Sequence, residues 1–498
     1  MLRFPFSRLI VGAALAWCVA GADLAAAGAR AGAQFPAAGA TGISPDTPLR
    51  LTFDAAPQVG RGGLILVTDT TTGVVVDTID VAAGPATQAI GGVDGFNYHP
   101  VTIAGDTATI HVRHGALQRG HEYAVTIDTG ALLVGGEPFA GFPQAAPWRF
   151  TTRATAPAAD AARLVVAADG SGDFCTVQGA LDSIPEGNRR PVTILVRRGT
   201  YTEILCLFNK HAVTLVGEDR KGTVIAYPNN ANFNGNGGNP YAGTSNPSAL
   251  NPRAGGAVYR RGMLLVHQCE DFTLANMRLH NTTPQGGSQA EAIIVNGSLT
   301  ARAVIRECDF FSFQDTVQIN GQAYIARCHV EGDVDFLWGR GPSFFEDCTF
   351  VTLRSGAYYT QVRNPGTNHG FVFLRCRFEG APGVTDNYLT RVEPHRFPES
   401  EVVLIDCVVS EAVGAVGWQL QRARGATDDP APGNVRFWEH NSRTPAGDPV
   451  DASGRLAASR QLREPDDAAT IARYRDPVWV LGGTWDPRAQ GAGAGGEP

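Results

Sequence analysis

Asp315 and Asp335 are 20 residues apart, the same distance that separates Cys308 from Cys328 and Cys328 from Cys348. Cysteine recurs in a short pattern, x-Cys-x-apolar. It appears as Glu307-Cys308-Asp309-Phe310, Arg327-Cys328-His329-Val330, Asp347-Cys348-Thr349-Phe350, Arg375-Cys376-Arg377-Phe378 and Asp406-Cys407-Val408-Val409. A recurring period of this length marks stacked units that bury a core only against their neighbours. Residues one unit apart then stand on successive rungs, about 4.8 Å from each other, so the two aspartates meet. Adjacent carboxylates resist ionising together: one keeps its proton while the other stays charged. A nucleophile and a general acid need that division. An equally simple reading of the spacing is a pair of solvated loop acids.

The elements that must position this pair are strands. Period 2 puts Cys308 and Phe310 on one face, and the cysteine column reads as a ladder of small inward-facing core residues. With β-rich units the expected solution is a parallel β-helix, about ten coils of roughly 25 residues from 163 to 412. Residues 413–488 read as irregular, with a helix over 465–475 and a Trp-containing close at 478–487, and residues 489–498 as a disordered tail. Ahead of the repeat, residues 41–153 hold short near-alternating strands between turn signals, such as 48–54, 63–69 and 123–128, which predict a small antiparallel β-sandwich. This segment resembles bacterial Ig-like domains, and residues 154–162 read as an Ala/Pro linker. The fold class is all-β.

Composition narrows the chemistry. The chain has 498 residues, 43% of them hydrophobic, and a net charge of −7, which argues against a nucleic-acid binder. Arg3 and Arg8 precede the apolar run 9–20, and Ala20-Gly21-Ala22 follows, which predicts a secretory signal peptide over 1–27 cleaved near Ala22 or Ala27. The expected location is periplasmic or extracellular, with no membrane attachment after cleavage. No H-E-x-x-H, G-x-S-x-G or P-loop pattern occurs, so neither a metal site nor a cofactor is implied.

Five further stretches carry a family resemblance. They are Asp169-Gly170-Ser171-Gly172-Asp173-Phe174, Gly199-Thr200-Tyr201-Thr202-Glu203, Gln289-Ala290-Glu291-Ala292, Gln314-Asp315-Thr316-Val317 and Gly332-Asp333-Val334-Asp335-Phe336-Leu337-Trp338-Gly339. In this order they resemble the pectin methylesterase (pectinesterase) family, over roughly 163–445 and ending at Glu439, Asn441 and Ser442. The resemblance implies a right-handed parallel β-helix over 163–488, a monomer, and a partner in pectin, the methyl-esterified homogalacturonan. It implies Asp335 as nucleophile, Asp315 as general acid and then base, and Gln289 and Gln314 as donors to the oxyanion. Arg391 would orient Asp335 and lower its pKa. A Cys328–Cys348 disulfide is also implied, and a rung spacing near 4.8 Å is compatible with one. One tension remains: a regular strand sends neighbours such as Gln314 and Asp315 to opposite faces, so the backbone must bend there.

The chain departs from the family at Leu389-Thr390-Arg391-Val392-Glu393-Pro394, where the family has L-G-R-P-W. Val392 is read as standing where a groove-lining aromatic is expected, with Trp338, Phe313, Tyr358 and Tyr359 as other platforms for the sugar. The competing readings are an esterase or thioesterase on a non-pectin ester, a β-helix polysaccharide lyase, and a non-catalytic glycan-binding protein.

Overall fold

The computed structural model describes residues 31–235 and 260–492. The predicted signal peptide over 1–27 and the last six residues of the chain lie outside the described residues.

From residue 163 the chain winds through three parallel sheets. A long sheet of eleven strands runs from Arg163–Val166 to Ser459–Gln461, and two sheets of eight strands run from Gly199–Tyr201 to Val408–Val409 and from Leu205–Phe208 to Trp418–Leu420. Each complete coil visits the three sheets in that order, which makes a parallel β-helix. Among the described residues eight coils are complete rather than the ten expected. Longer connections, such as the one between Arg278–Asn281 and Ile293–Asn296, lengthen the average coil.

The cysteine repeat is a corner of this coil. Glu307, Arg327, Asp347, Arg375 and Asp406 all have φ between +52° and +57°, turning the chain from the long sheet into the second. Hydrogen bonding continues through the corner, with Arg327 N–H donating to Glu346 O and Asp347 N–H to Leu374 O. The next residue, cysteine, points inward. The apolar residue two further on enters a ladder in which Phe310 pairs with Val330, Val330 with Phe350 and Phe350 with Phe378. Burying each Phe contributes roughly 1.5–3 kcal/mol, so the ladder favours one register.

The implied Cys328–Cys348 disulfide is absent: both are buried free thiols. Each thiol lies against a carbonyl of its own corner and one of the preceding rung, and Cys348 Sγ accepts from Cys328 N–H at 3.4 Å. Cys328 Sγ lies 3.4 Å from Ala326 O, and Cys348 Sγ lies 3.4 Å from Glu346 O. Cys308, Cys376 and Cys407 repeat this geometry.

Residues 413–488 are less irregular than expected. The helix over Ala468–Tyr474 falls within the predicted span. Ile471, Tyr474, Val480, Leu481 and Trp485 cover the outer face of the long sheet at Tyr324, Phe344, Val372 and Val403. The expected disorder from 489 is wrong as far as 492, because a helix spans Pro487–Ala492. Asp486 accepts from Arg488 N–H, and Trp485 Nε1 donates to Gln490, which fixes its first turn.

The front domain is a set of short, mostly antiparallel sheets whose strands begin at Ala33–Phe35. Its core contains Leu51, Val67, Tyr123, Trp148 and Phe150. Its hairpin, Ala86–Ile90 with Val93–Tyr98, leaves that core and packs Ile90, Val93 and Phe96 into the interior of the β-helix.

Thiol alkylation of the folded protein should leave the eight buried cysteines from Cys175 to Cys407 unmodified, with all eight reacting after denaturation without reductant. Recovery of a Cys328–Cys348 linked peptide would contradict this geometry.

Candidate active site

The corner from the second sheet into the third builds the site. Gln314 bridges Val334 in parallel, and Val317 pairs with Leu337, so Asp315 and Asp335 occupy successive rungs at the offset read from the sequence. Ile293 pairs with Val317, which places Glu291 one rung before Asp315. Three carboxyl groups therefore form one column. Asp315 and Asp335 both have left-handed backbone, with φ of +67° and +50°. This costs about 1 kcal/mol or more at each residue and supplies the bend that neighbouring functional residues require. Asp315 N–H donates to Val334 O at 3.0 Å, and Gln314 O accepts from Ala290 N–H at 3.0 Å, so the bend stays within the stack.

All three carboxyls are buried: Glu291 is 0% exposed, Asp335 3% and Asp315 7%. Arg391 Nε reaches Asp335 Oδ1 at 2.8 Å and Oδ2 at 3.1 Å, and its Nη2 also donates to Oδ2. The expected pairing is present, but its expected electrostatic result is not. Burial raises the Asp335 carboxyl by more than Arg391 lowers it, so its pKa stands above the usual value. Asp315 is pushed much further up, by burial first and then by the charge of Glu291. Arg261 accounts for this difference. Its Nε and Nη2 lie 2.9 and 2.6 Å from Glu291 Oε1, whereas Nη2 is 3.3 Å from Asp315 Oδ2. Burial raises the Glu291 carboxyl as well, with Arg261 acting against that rise, so Asp315, with the longer contact to the guanidinium, is the better placed of the two to keep a proton.

A cavity of about 250 Å³ opens on Asp315, with Gln289, Trp338, Arg261, Arg340 and Arg363 among its walls. Ser288 Oγ donates to Gln289 Oε1, which leaves the Gln289 N–H groups without an acceptor among the described residues. The Gln314 side chain likewise makes no hydrogen bond among the described residues. Trp338 is 7% exposed and lies between two guanidinium groups, with Arg261 Cζ at 5.3 Å and Arg363 Cζ at 5.2 Å from the ring. Asp335 stands one rung along, and Arg391 reaches it from two rungs further on; neither is among the residues that line the cavity.

The other expected platforms divide. Tyr358 is half-buried, stacks on Tyr388 at 5.6 Å and carries Arg391 Cζ 4.7 Å from its ring, so it adjoins the site. Phe313 is half-buried and accepts from Asp333 N–H through its carbonyl. Tyr359 is fully buried in the core. Val392 is no groove residue: it is 0% exposed, belongs to the interior cluster and pairs with Leu420. Arg391 faces outward to meet Asp335, so strand alternation turns Val392 inward.

Several quoted motif residues support the frame. Glu203 accepts from Val177 and Gln178 N–H at the start of the first helix, Val177–Ser183. Glu439 holds Arg455 and Ser442. Arg261, Arg340 and Arg363 are additions to the expected site, and nothing in the repeat marks them. Glu291 was visible as the third residue of Gln-Ala-Glu-Ala, where an acid in a strand-like apolar context was the available signal.

Val392→Trp should lower the thermal unfolding midpoint, with an overpacking cost of about 1–3 kcal/mol or more. It should not improve binding to a polysaccharide, as read by KM. An unchanged melting curve would contradict the inward placement.

Comparison with known proteins gives two family matches: the pectinesterase model over residues 163–445 and a bacterial Ig-like domain model over 30–152. Pectinesterase 31 of Arabidopsis thaliana is 31% identical over 256 residues, covering 51% of this chain and 75% of that protein. The structure of pectin methylesterase from carrot matches with a TM-score of 0.53 at 21% identity, covering 66% of this chain and 95% of that one. A pectin methylesterase solved in complex with a hexasaccharide matches with a TM-score of 0.52 at 22% identity, covering 65% of this chain and 98% of that one.

Proposed function

Because this chain belongs to the pectinesterase family of carboxylic ester hydrolases, we propose that it cleaves the methyl esters of homogalacturonan through an acyl-enzyme on Asp335. The observation that carries this reading is the unequal environment of two aspartates on successive rungs. Asp335 is paired with Arg391, which opposes the upward push of burial, while Asp315 is pushed further up and faces the cavity, so Asp315 is the better acid-form group of the two.

In this mechanism an Asp335 carboxylate oxygen attacks the ester carbonyl carbon, and the carbonyl electron pair moves to oxygen. The free N–H groups of Gln289 and Gln314 donate to that oxyanion. The bond to methoxide breaks as Asp315 transfers its proton, methanol leaves, and a mixed anhydride remains on Asp335. Asp315, now ionised, takes a proton from water as the water oxygen attacks the same carbon. The bond to Asp335 then breaks, releasing a galacturonic acid carboxyl that loses its proton to solvent and returning both aspartates to their starting forms. Arg340 and Arg363 at the cavity give cationic surroundings suited to neighbouring free carboxylates of a partly de-esterified chain. A family neighbour held a hexasaccharide, which supports an extended polysaccharide as substrate. Export, read from Arg3, Arg8 and the apolar run 9–20, would bring the enzyme to a polymer outside the cell.

The test is methanol release from highly methylated pectin by the mature chain. Asp335→Asn should abolish it, by roughly four orders of magnitude or more, in a protein with an unchanged melting profile, because an amide cannot form the anhydride. Asp315→Asn should cost about 10²–10⁴-fold. Near-normal turnover by folded Asp335→Asn would end the acyl-enzyme reading.

The kcat–pH profile should be bell-shaped. Activity needs ionised Asp335 and is lost as pH falls through its pKa, which burial has raised, so the acid limb lies above about pH 3.9, the value for a free aspartate. Activity also needs protonated Asp315 and is lost as pH rises through a pKa displaced further upward. An acid limb below the free-aspartate value would contradict this assignment.

A further inference from the structure

Glu291 is a buried carboxylate that the mechanism above does not use. It stands one rung before the general acid, is 0% exposed, and accepts from Arg261 Nε at Oε1, with Nη2 2.6 Å away. It is not part of the cavity lining, so it does not meet substrate directly. Arg261 Nη2 also donates to Asp315 Oδ2 at 3.3 Å, so the two carboxyls share one guanidinium. We infer that Glu291 is a positioning residue that takes the shorter contacts with Arg261 and so weakens its hold on Asp315, leaving Asp315 with the proton it delivers to the departing alkoxide. The inference rests on the aspartyl mechanism proposed above.

An arginine beside a carboxylic acid normally lowers its pKa by about one to three units, which would leave Asp315 ionised and unable to act as an acid at neutral pH. Arg261 is close enough to do this, since its Nη2 lies 3.3 Å from Asp315 Oδ2. The same nitrogen lies 2.6 Å from Glu291. With both groups removed from water, the shorter contact dominates, and Glu291 takes most of the guanidinium charge.

Other charged groups also face Asp315, and Arg363, like Arg261, works against the rise of its carboxyl. Asp335, on the next rung, repels a second negative charge, and its own cation is Arg391. Arg363 approaches from the following coil and donates to Gln361. The charge of Glu291 adds directly to the upward push on Asp315. It therefore acts twice, by its own repulsion and by occupying Arg261.

The experiment is the pH dependence of kcat for methanol release by the wild type, Glu291→Gln, Arg261→Gln and the double variant, each checked for folding by thermal melting. In Glu291→Gln the freed guanidinium turns to Asp315, and the alkaline limb should move down by about one to three pH units. Arg261→Gln should move it up, because an unopposed Glu291 then stands beside the acid. The double variant, with neither charge, should bring the limb back toward its wild-type position.

A merely structural role would lower kcat without moving the limb, and that result overturns the inference. So does a limb that stays at the Glu291→Gln position in the double variant, since Arg261 would then not be the mediator. Should Glu291→Gln fail to fold, Arg261→Gln against the double variant makes the same comparison. The limb must stand higher in the single variant, and equality overturns the inference. Absence of methanol release by the wild type would instead remove the pectinesterase mechanism itself.

Discussion

The site depends on one parallel register, between the corner that holds Asp315 and the strand that follows Asp335. Gln314 against Val334 and Val317 against Leu337 fix an offset of 20 residues, and Asp315 N–H donates across it to Val334 O. A slip of one residue would set Asp335 against Gln314 or Thr316 and would turn each alternating strand inside out. The aspartates do not enforce this register, because two buried carboxyls repel. The interior enforces it, through the ladder Phe310, Val330, Phe350 and Phe378 and the repeated left-handed corner before each cysteine. Core packing thus holds together a polar arrangement that would otherwise separate.

Burial then decides which group does what. Removing an ionised carboxylate from water costs several kcal/mol unless a cation is placed against it. The column contains three carboxyls, and two arginines are committed to it: Arg391 to Asp335 and Arg261 to Glu291. The remaining carboxyl, Asp315, is cheapest to keep neutral. In the proposed mechanism, acid and nucleophile would therefore be distinguished by the supply of arginines and not by any difference between two aspartate side chains. The left-handed backbone at both positions adds strain that the surrounding stack must absorb.

Much of this was legible in the sequence, because a stacked fold writes its geometry as a period. The 20-residue spacing predicted that Asp315 and Asp335 meet, the x-Cys-x-apolar repeat predicted a ladder of inward-facing core residues though not the corners that carry it, and residues 465–475 predicted the helix at Ala468–Tyr474. What stayed hidden depends on loops and on side-chain direction. Arg261 and Arg363 enter the site from outside the repeated tetrapeptide, so no period marks them. Val392 was misread because its neighbour Arg391 had not been assigned a face; once Arg391 points at Asp335, alternation decides Val392. The free thiols were hidden for a related reason. Rung spacing alone permits a disulfide, but the corner turns each Sγ toward the carbonyl two residues back.

The front domain bears on the same register from the other end. A β-helix must cover the open edge of its first coil, where unpaired strand groups and core side chains would otherwise meet water. In the third sheet that edge is Leu205–Phe208, and the hairpin turn at Gly91 lies against it. Gly91 has φ +59°, and a Cβ there would come within 2.1 Å of Cys206 O, so the approach needs glycine. Asn97 and Asn234 exchange backbone and side-chain hydrogen bonds, and Asp46 accepts from Cys175 and Thr176 N–H just ahead of the first helix. Residues 154–162 link the two parts in sequence, but these contacts join them in space. The sandwich therefore acts as the end cap of the stack, closing the first coil of the column whose later rungs carry Glu291, Asp315 and Asp335.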